Sequence, residues 1–172
     1  MSYVRGPGVQ HWHSINTASS GLAAPQLTPS GAAWPTANLA IYVPILVRSR
    51  VTIKKLWYSN YTTATGNYDI GLYDSAGVAL ARKGSTAKSA DGVAVVWDCT
   101  DTVISSGIYY MALACSNNTD DFGRLTAAAP YMAALGCFSE SSFPLPATAT
   151  FAVSNALAFY PLMGLFLDTR VS

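Results

Sequence analysis

Residues 67–82, NYDIGLYDSAGVALAR, place the tightest constraint on what this chain can become. Tyr68, Ile70 and Leu72 alternate with Asn67, Asp69 and Tyr73, the period of two that sends successive side chains to opposite faces of a strand. DSAG at 74–77 then fits a type I turn closed by a left-handed residue, a role that favours Gly77. Val78 and Leu80 return along the core face. The stretch predicts a β-hairpin, and no catalytic group sits in it.

The same pattern continues on both sides. LAIYVPILV, from Leu39, is an apolar run interrupted by Pro44, and VTIKKLWYS follows a short turn at 48–50. In it Val51 and Ile53 share one parity and Leu56 and Tyr58 the other. Such a slip flips the buried face, so a bulge is predicted at Lys54–Lys55. GVAVVWDCT alternates Val93, Val95 and Trp97, and Gly107 opens IYYMALAC, which is apolar on both faces. SNNTDDFG at 116–123 is a polar loop. RLTAAAPYMAALGCF allows one short helix, with Pro130 breaking it. SESSFPLPAT is a loop, and ATFAVS and AFYPLMGLFLDTR close the chain as strands, the latter bulged or edge-placed at Pro161. Short strands separated by turn signals, without a long amphipathic helix, predict an all-β, antiparallel β-sandwich of jelly-roll-like type.

Residues 1–38 lack this period. GLAAPQLTPSGAAWPTAN is rich in small residues, and Pro25, Pro29 and Pro35 forbid a continuous helix or central strand. The segment reads as an extended N-terminal arm carrying the aromatic anchors Tyr3, Trp12 and Trp34, ahead of a sandwich domain at 39–172. Three large aromatics in such a segment predict that it lies against something, either its own domain or a neighbour's.

The chain has 172 residues, within the range of one domain. Hydrophobic residues make up 51% and charged residues 11%, against about 25% charged in an ordinary soluble domain. So little charge predicts that some apolar surface is covered by other subunits. The apolar stretches containing Tyr109 and Phe159 are the sandwich's candidates for that contact. The net charge of +1 supplies no global steering toward nucleic acid or an anionic membrane. Arg48, Arg50, Lys54 and Lys55 form a local basic cluster that reads as a solvated strand end. The longest apolar run, ALAFYPLMGLFL, has 12 residues and holds Pro161 and Gly164; a membrane helix needs about 20. MSYVRGPGVQ has no apolar core of a secretory signal, so synthesis in a cytoplasm is expected.

A search for chemistry returns little. Cys99, Cys115 and Cys137 are odd in number and form no CxxC pair; Cys99 and Cys115 read as small buried apolar residues. His11 and His13 flank Trp12, but a third metal ligand at a useful spacing is missing. There is no GxSxG elbow and no histidine within the sandwich to activate a nucleophile. Glu140 is the only glutamate, and Asp74, Asp98 and Asp101 sit where turn and cap residues belong. The oxygen-rich NNTDD at 117–121 does not follow the order of a calcium-binding EF-hand loop. No enzyme activity, cofactor or metal is expected. Trp57, Tyr58, Tyr61, Tyr73, Tyr109 and Tyr110 could offer flat faces to a sugar, with Trp57 and Tyr61 the candidate glycan contacts; the alternative is core and interface packing.

AIYVPILVRSRVTIKKLWYSNYTTATGNYDIGLYDSAGVALARKGST, followed by GIYYMALA and a closing FYPLMGLFL, resembles a β-sandwich module of virion proteins of tailed bacteriophages. The shared features are an apolar strand with a Tyr and a Pro, then VTI, then a T-A-x-G-N turn before D-I-G-L-Y-D-x-x-G, and a later G-x-Y-Y-x-A-L-A strand. The similarity covers about Leu39 to Ala114 and, loosely, the last strand. It implies a tail-fibre, collar or capsid-decoration protein without catalytic residues. The chain has no long fibre stalk, which favours a small add-on subunit. The expectation is a capsid decoration protein located in the virion. Its partner would be the major capsid protein or another virion protein, and it would be a homo-oligomer, a trimer being favoured. A receptor- or carbohydrate-binding module at a tail tip is the alternative.

Overall fold

The computed structural model describes residues 29–90, 94–125, 129–151 and 157–168. They form an all-β, antiparallel sandwich with one short helix. The central ladder holds β2 (Leu39–Val47), β8 (Gly107–Cys115) and β4 (Asn67–Tyr73), with β10 (Phe138–Ser141) outside β2 and β5 (Ala79–Arg82) outside β4. A short β6 (Thr86–Ala87) also pairs β4. The opposing layer is two three-stranded ladders. One orders β1 (Pro29–Ala33), β9 (Asp121–Leu125) and β11 (Tyr160–Pro161). The other orders β12 (Met163–Asp168), β3 (Val51–Tyr58) and β7 (Val95–Ile104). Ser59, Asn60 and Leu162 join the two. Ser59 N donates to Leu162 O and Leu162 N to Gly123 O, while Asn60 bridges Phe122.

Alternation accounts for the core. Ile41, Val43, Ile45 and Val47 of β2, Met111, Leu113 and Cys115 of β8, and Tyr68, Ile70 and Leu72 of β4 point inward. They meet Val51, Ile53, Leu56 and Tyr58 of β3 and Leu165 of β12. The parity slip in β3 is absorbed as predicted: the β3–β7 register shifts between Ile53 and Lys55. The 74–77 turn also forms. Gly77 has φ +83°, Gly77 N donates to Asp74 O, and the Asp74 carboxylate accepts from Ala76 N and Val78 N. Val78 departs from expectation. It is exposed and bridges Thr148 instead of returning along the core face.

The central ladder is covered on its other face too. Ala40, Tyr42, Tyr73, Ala112 and Ala114 pack there against Leu145, Ala149, Phe143 and Phe151 from the segment after β10. That segment starts at the β10 edge, crosses the sheet and reaches the β5 edge, where Ala79 N donates to Ala147 O and Ala149 N to Gly77 O. Gly71 in β4 admits it, since a Cβ there would lie 3.2 Å from Leu145. So part of ATFAVS, expected as a strand, acts as the far end of a strap; residues 152–156 lie outside the described residues.

Two further expectations are corrected. The sequence boundary at 38/39 falls too late, because residues 29–38 belong to the folded body. β1 pairs β9 along its whole length, with Pro29 opening an edge strand where a missing N–H is tolerated. Trp34 is 1% exposed; its indole Nε1 donates to Leu39 O at 3.0 Å, and its ring meets Phe122 and Phe159 edge-on at 5.0 and 5.1 Å. Pro130 does not break the helix α1 (Ala129–Ala134) but sits in its first turn, where its ring fits. Gly136 (φ +75°) turns the chain just past the helix end, with Cys137 N donating to Met132 O. The closing run AFYPLMGLFLDTR divides at Leu162 between β11 and β12.

Trp34→Ala should therefore destabilise the protein by about 3–5 kcal/mol, read as a shift in urea midpoint, and removal of residues 1–38 should abolish cooperative unfolding. A Trp34→Ala midpoint equal to wild type would show that Trp34 is not a core residue.

Candidate functional site

The carboxylates with clear partners are built into the scaffold. Asp120, in the oxygen-rich 117–121 stretch, is 0% exposed. Its Oδ1 accepts from Thr65 N at 2.7 Å, Thr65 Oγ1 at 2.9 Å and Asn117 Nδ2 at 3.2 Å, and Oδ2 accepts from Gly66 N at 3.1 Å. Burial pushes its pKa up, but these donors outweigh it and hold the carboxyl below its ordinary value. Lys88, also buried, donates to Tyr61 O and Thr63 O at 2.8 and 2.6 Å and lies 5.2 Å over the Phe122 ring. Asp120 and Lys88 thus clamp the loop at 61–66 from two sides. The lone pairs that a cation would need on Asp120 are turned toward N–H and O–H donors.

A second polar set anchors the strap. Tyr42 OH donates to Glu140 Oε1, and Glu140 Oε2 accepts from Thr150 N at 2.9 Å. Asp69 accepts from Gly84 N at 2.8 Å and Leu145 N at 3.0 Å. Tyr73 OH donates to Pro146 O, and Arg82 donates to Leu145 O, both at 2.6 Å. Burial raises the pKa of Asp69 against its backbone donors and the nearby Arg82 guanidinium. Burial, with the Glu140 contact for Tyr42, holds both phenols protonated. This set was not anticipated as a unit. Its only sequence signals are an aspartate inside an apolar strand and the chain's sole glutamate.

The basic cluster is half consumed: Lys54 pairs Asp101, and Lys55 pairs Asp98 at 3.3 Å across β3–β7, while Arg48 and Arg50 are exposed. Cys99, Cys115 and Cys137 are buried free thiols, and burial lifts Cys115 to about 11 and Cys137 to about 12. Among the described residues no three His, Cys, Asp or Glu side chains gather as metal ligands, and no helix is long and apolar enough to cross a membrane.

The predicted contact residues separate. Tyr3 and Trp12, with His11 and His13, lie outside the described residues. Trp34 and Phe159 are core residues, 1% and 3% exposed. As partner contacts they are corrected, because their rings fill the space between layers; Trp34 lies against its own domain, one of the two placements expected of the arm's aromatics. Tyr109 is half-buried against the core, its OH donating to Ser105 O. Trp57 and Tyr61, the candidate glycan contacts, lie on the outer face in one i, i+2, i+4 row with Ser59. Each crosses a glycine of a neighbouring strand. A Cβ at Gly164 would strike Trp57, one at Gly123 Ser59, and one at Gly31 Tyr61. The rings therefore lie flat on the sheet and are half-buried. Val96, paired with Trp57 across β3–β7, is 48% exposed, and Val103 is 54% exposed. The two valines put an apolar element on the outer face of an edge strand.

No protein family, curated protein or solved structure matches this chain.

Asp120→Asn should cost about 1–3 kcal/mol at neutral pH through orphaned donors. Because Asp120 has a lowered folded pKa, its contribution is present above the unfolded value near 3.9 and is lost as pH falls through the folded one. Asp69, with a raised pKa, contributes in the opposite sense. The gap in urea midpoint between wild type and Asp120→Asn should narrow as pH falls from 7 to 3; a constant gap would contradict the assignment.

Proposed function

We propose that this chain is a non-enzymatic structural subunit of a tailed-phage virion, a capsid decoration protein. It would bind the major capsid protein or another virion protein through its N-terminal segment and its apolar outer face, as a homo-oligomer with a trimer favoured. The observation that carries this reading is how the chemically capable groups are used. Asp69, Asp120 and Glu140 tie down loops and strap, Asp74 caps a turn, Asp121 accepts from Thr63, and Asp98 and Asp101 pair lysines. What the outer face offers instead is aliphatic and aromatic: Val96, Val103 and Trp57. That suits adhesion, where apolar area removed from water supplies the free energy. The resemblance of the hairpin and strand motifs to phage virion modules supports the same reading.

The second reading, a receptor- or carbohydrate-binding module at a tail tip, is favoured by the flat placement of Trp57 on Gly164 and Tyr61 on Gly31. Ring faces parallel to a sheet are positioned to cover sugar rings.

Quantitative mass spectrometry of purified particles separates the two. Hundreds of copies per particle are expected for a decoration protein. A handful would favour the tail, where Trp57→Ala and Tyr61→Ala should each abolish glycan binding on an array without changing the near-ultraviolet circular dichroism. Absence from particles would overturn both.

A further inference from the structure

Arg48 and Arg50 stand apart from the other described cations. Lys54 and Lys55 pair aspartates, Arg82, Lys88 and Arg124 donate to backbone carbonyls, and Lys83 lies over the Trp97 ring. Among the described residues no such contact engages Arg48 or Arg50, and both are exposed. They are the two ends of the turn 48–50 that carries the chain from β2 to β3. The turn 105–106, from β7 to β8, runs beside it, since Val47 pairs Gly107 and Val51 pairs Ile104. Together the two turns close one end of the sandwich. Arg48 lies two residues beyond Leu46, which pairs Ile108, and Arg50 lies two before Thr52, which pairs Val103. Leu46, Ile108 and Val103 are 49%, 53% and 54% exposed. Leu46 and Ile108 also line a cavity of about 260 Å³ with Pro44, Leu135 and Cys137, and its described lining holds no charged side chain.

Charge complementarity decides what fits this end. Unpaired arginines flanked by exposed aliphatic residues are matched by carboxylates flanking an apolar side chain, because the guanidinium fork binds a carboxylate bidentately. The described side chains of the chain itself do not supply that acid. Asp69, Asp74, Asp120 and Asp121 accept from backbone or side-chain donors, Glu140 accepts from Tyr42 and Thr150, and Asp98 and Asp101 hold lysines. A second copy would therefore bring arginines to this end and no free carboxylate from its described side chains. A nucleic acid is disfavoured too. Its phosphate backbone is met by several cations along its length, whereas here uncharged aliphatic residues lie on either side of two arginines.

We propose that the end of the sandwich formed by the 48–50 and 105–106 turns docks an acidic, apolar segment of a different protein. Its carboxylates pair Arg48 and Arg50, and an aliphatic side chain lies against the exposed Leu46 and Ile108. The ion pairs are exposed, so salt screens them and the contact weakens as ionic strength rises. Under the proposed function the segment belongs to a virion protein, but the contact rests on the charge inventory of this chain and not on that reading.

The test titrates isotope-labelled full-length protein with the peptide acetyl-Asp-Asp-Leu-Asp-Asp-amide at low salt and follows the backbone amide resonances. Saturable shifts at residues 46–50 and 105–108 are expected, and acetyl-Asn-Asn-Leu-Asn-Asn-amide should not reproduce them. The Arg48→Gln, Arg50→Gln variant should bind the acidic peptide about fivefold or more weakly. The Arg48→Lys, Arg50→Lys variant should lose less, since lysine keeps the charge but not the fork. Both positions are exposed and unpaired, so the urea midpoints of these variants should equal that of wild type. No saturable shift at these residues, equal shifts from the asparagine peptide, or unchanged affinity in the glutamine variant would overturn the proposal. Shifts there from inorganic phosphate or from oligothymidylate as large as those from the acidic peptide would also overturn it, in favour of a general anion or nucleic-acid site. Shifts there that grow with protein concentration alone would overturn it in favour of a second copy. The titration needs no virion and the copy-number experiment needs no peptide, so the two failures are distinguishable.

Discussion

The two-sided burial of the β2–β8–β4 ladder is the constraint on which the rest of the structure depends. β8 pairs β2 over nine residues and β4 over six, and both faces of these strands are apolar. One face needs a second sheet and the other needs a cover. The chain meets the first need with the β3 and β9 ladders and the second with the strap after β10. Small residues decide how close the cover comes: Ala40, Ala112, Ala114 and Gly71 leave room for Leu145 and for the rings of Tyr42, Tyr73 and Phe151. Tyr42 meets Tyr73 and Phe151 edge-on, each at 5.4 Å, a favourable arrangement for aromatic pairs.

Polar groups then place what apolar burial alone would leave free to slide. A strap lying on a flat apolar face has no intrinsic register. Asp69, Glu140, Tyr73 and Arg82 supply one by bonding the strap's backbone at Leu145, Pro146 and Thr150. Asp120 and Lys88 do the same for the 61–66 loop. Each buried charge is repeatedly hydrogen-bonded, as its desolvation requires. The same arrangement commits the buried carboxylates of Asp69 and Asp120 to backbone and side-chain donors of the strap and the 61–66 loop.

Much of the fold was legible as local pattern. The alternation in Tyr68–Tyr73, the left-handed Gly77 and the parity slip at Lys54–Lys55 are each readable from a few neighbours, because strand period, turn geometry and bulge count are local properties. The low charge content was legible too, but it pointed to contacts between subunits before the strap was visible. Part of the apolar excess is consumed inside the chain, against Ala112 and Ala114. The local sequence around Trp34 and Phe159 does not say whether they pack on this domain or on a partner; the space they fill is created only when β9 and β11 come together. The cavity lined by Leu46 and Leu135 was equally hidden, since only tertiary packing brings their segments to one place.

The sequence by itself determined an antiparallel all-β architecture, the hairpin at 67–82 and the bulge in β3, since these follow from side-chain alternation and backbone conformations a few residues long. Only the tertiary structure decided that residues 29–38 belong to the body, that a strap closes the outer face of the central sheet, and that Trp57 and Tyr61 lie flat across glycines. Those outcomes join residues tens of positions apart, and no local period records which distant strand supplies the glycine, the alanine stripe or the backbone donor that completes each contact.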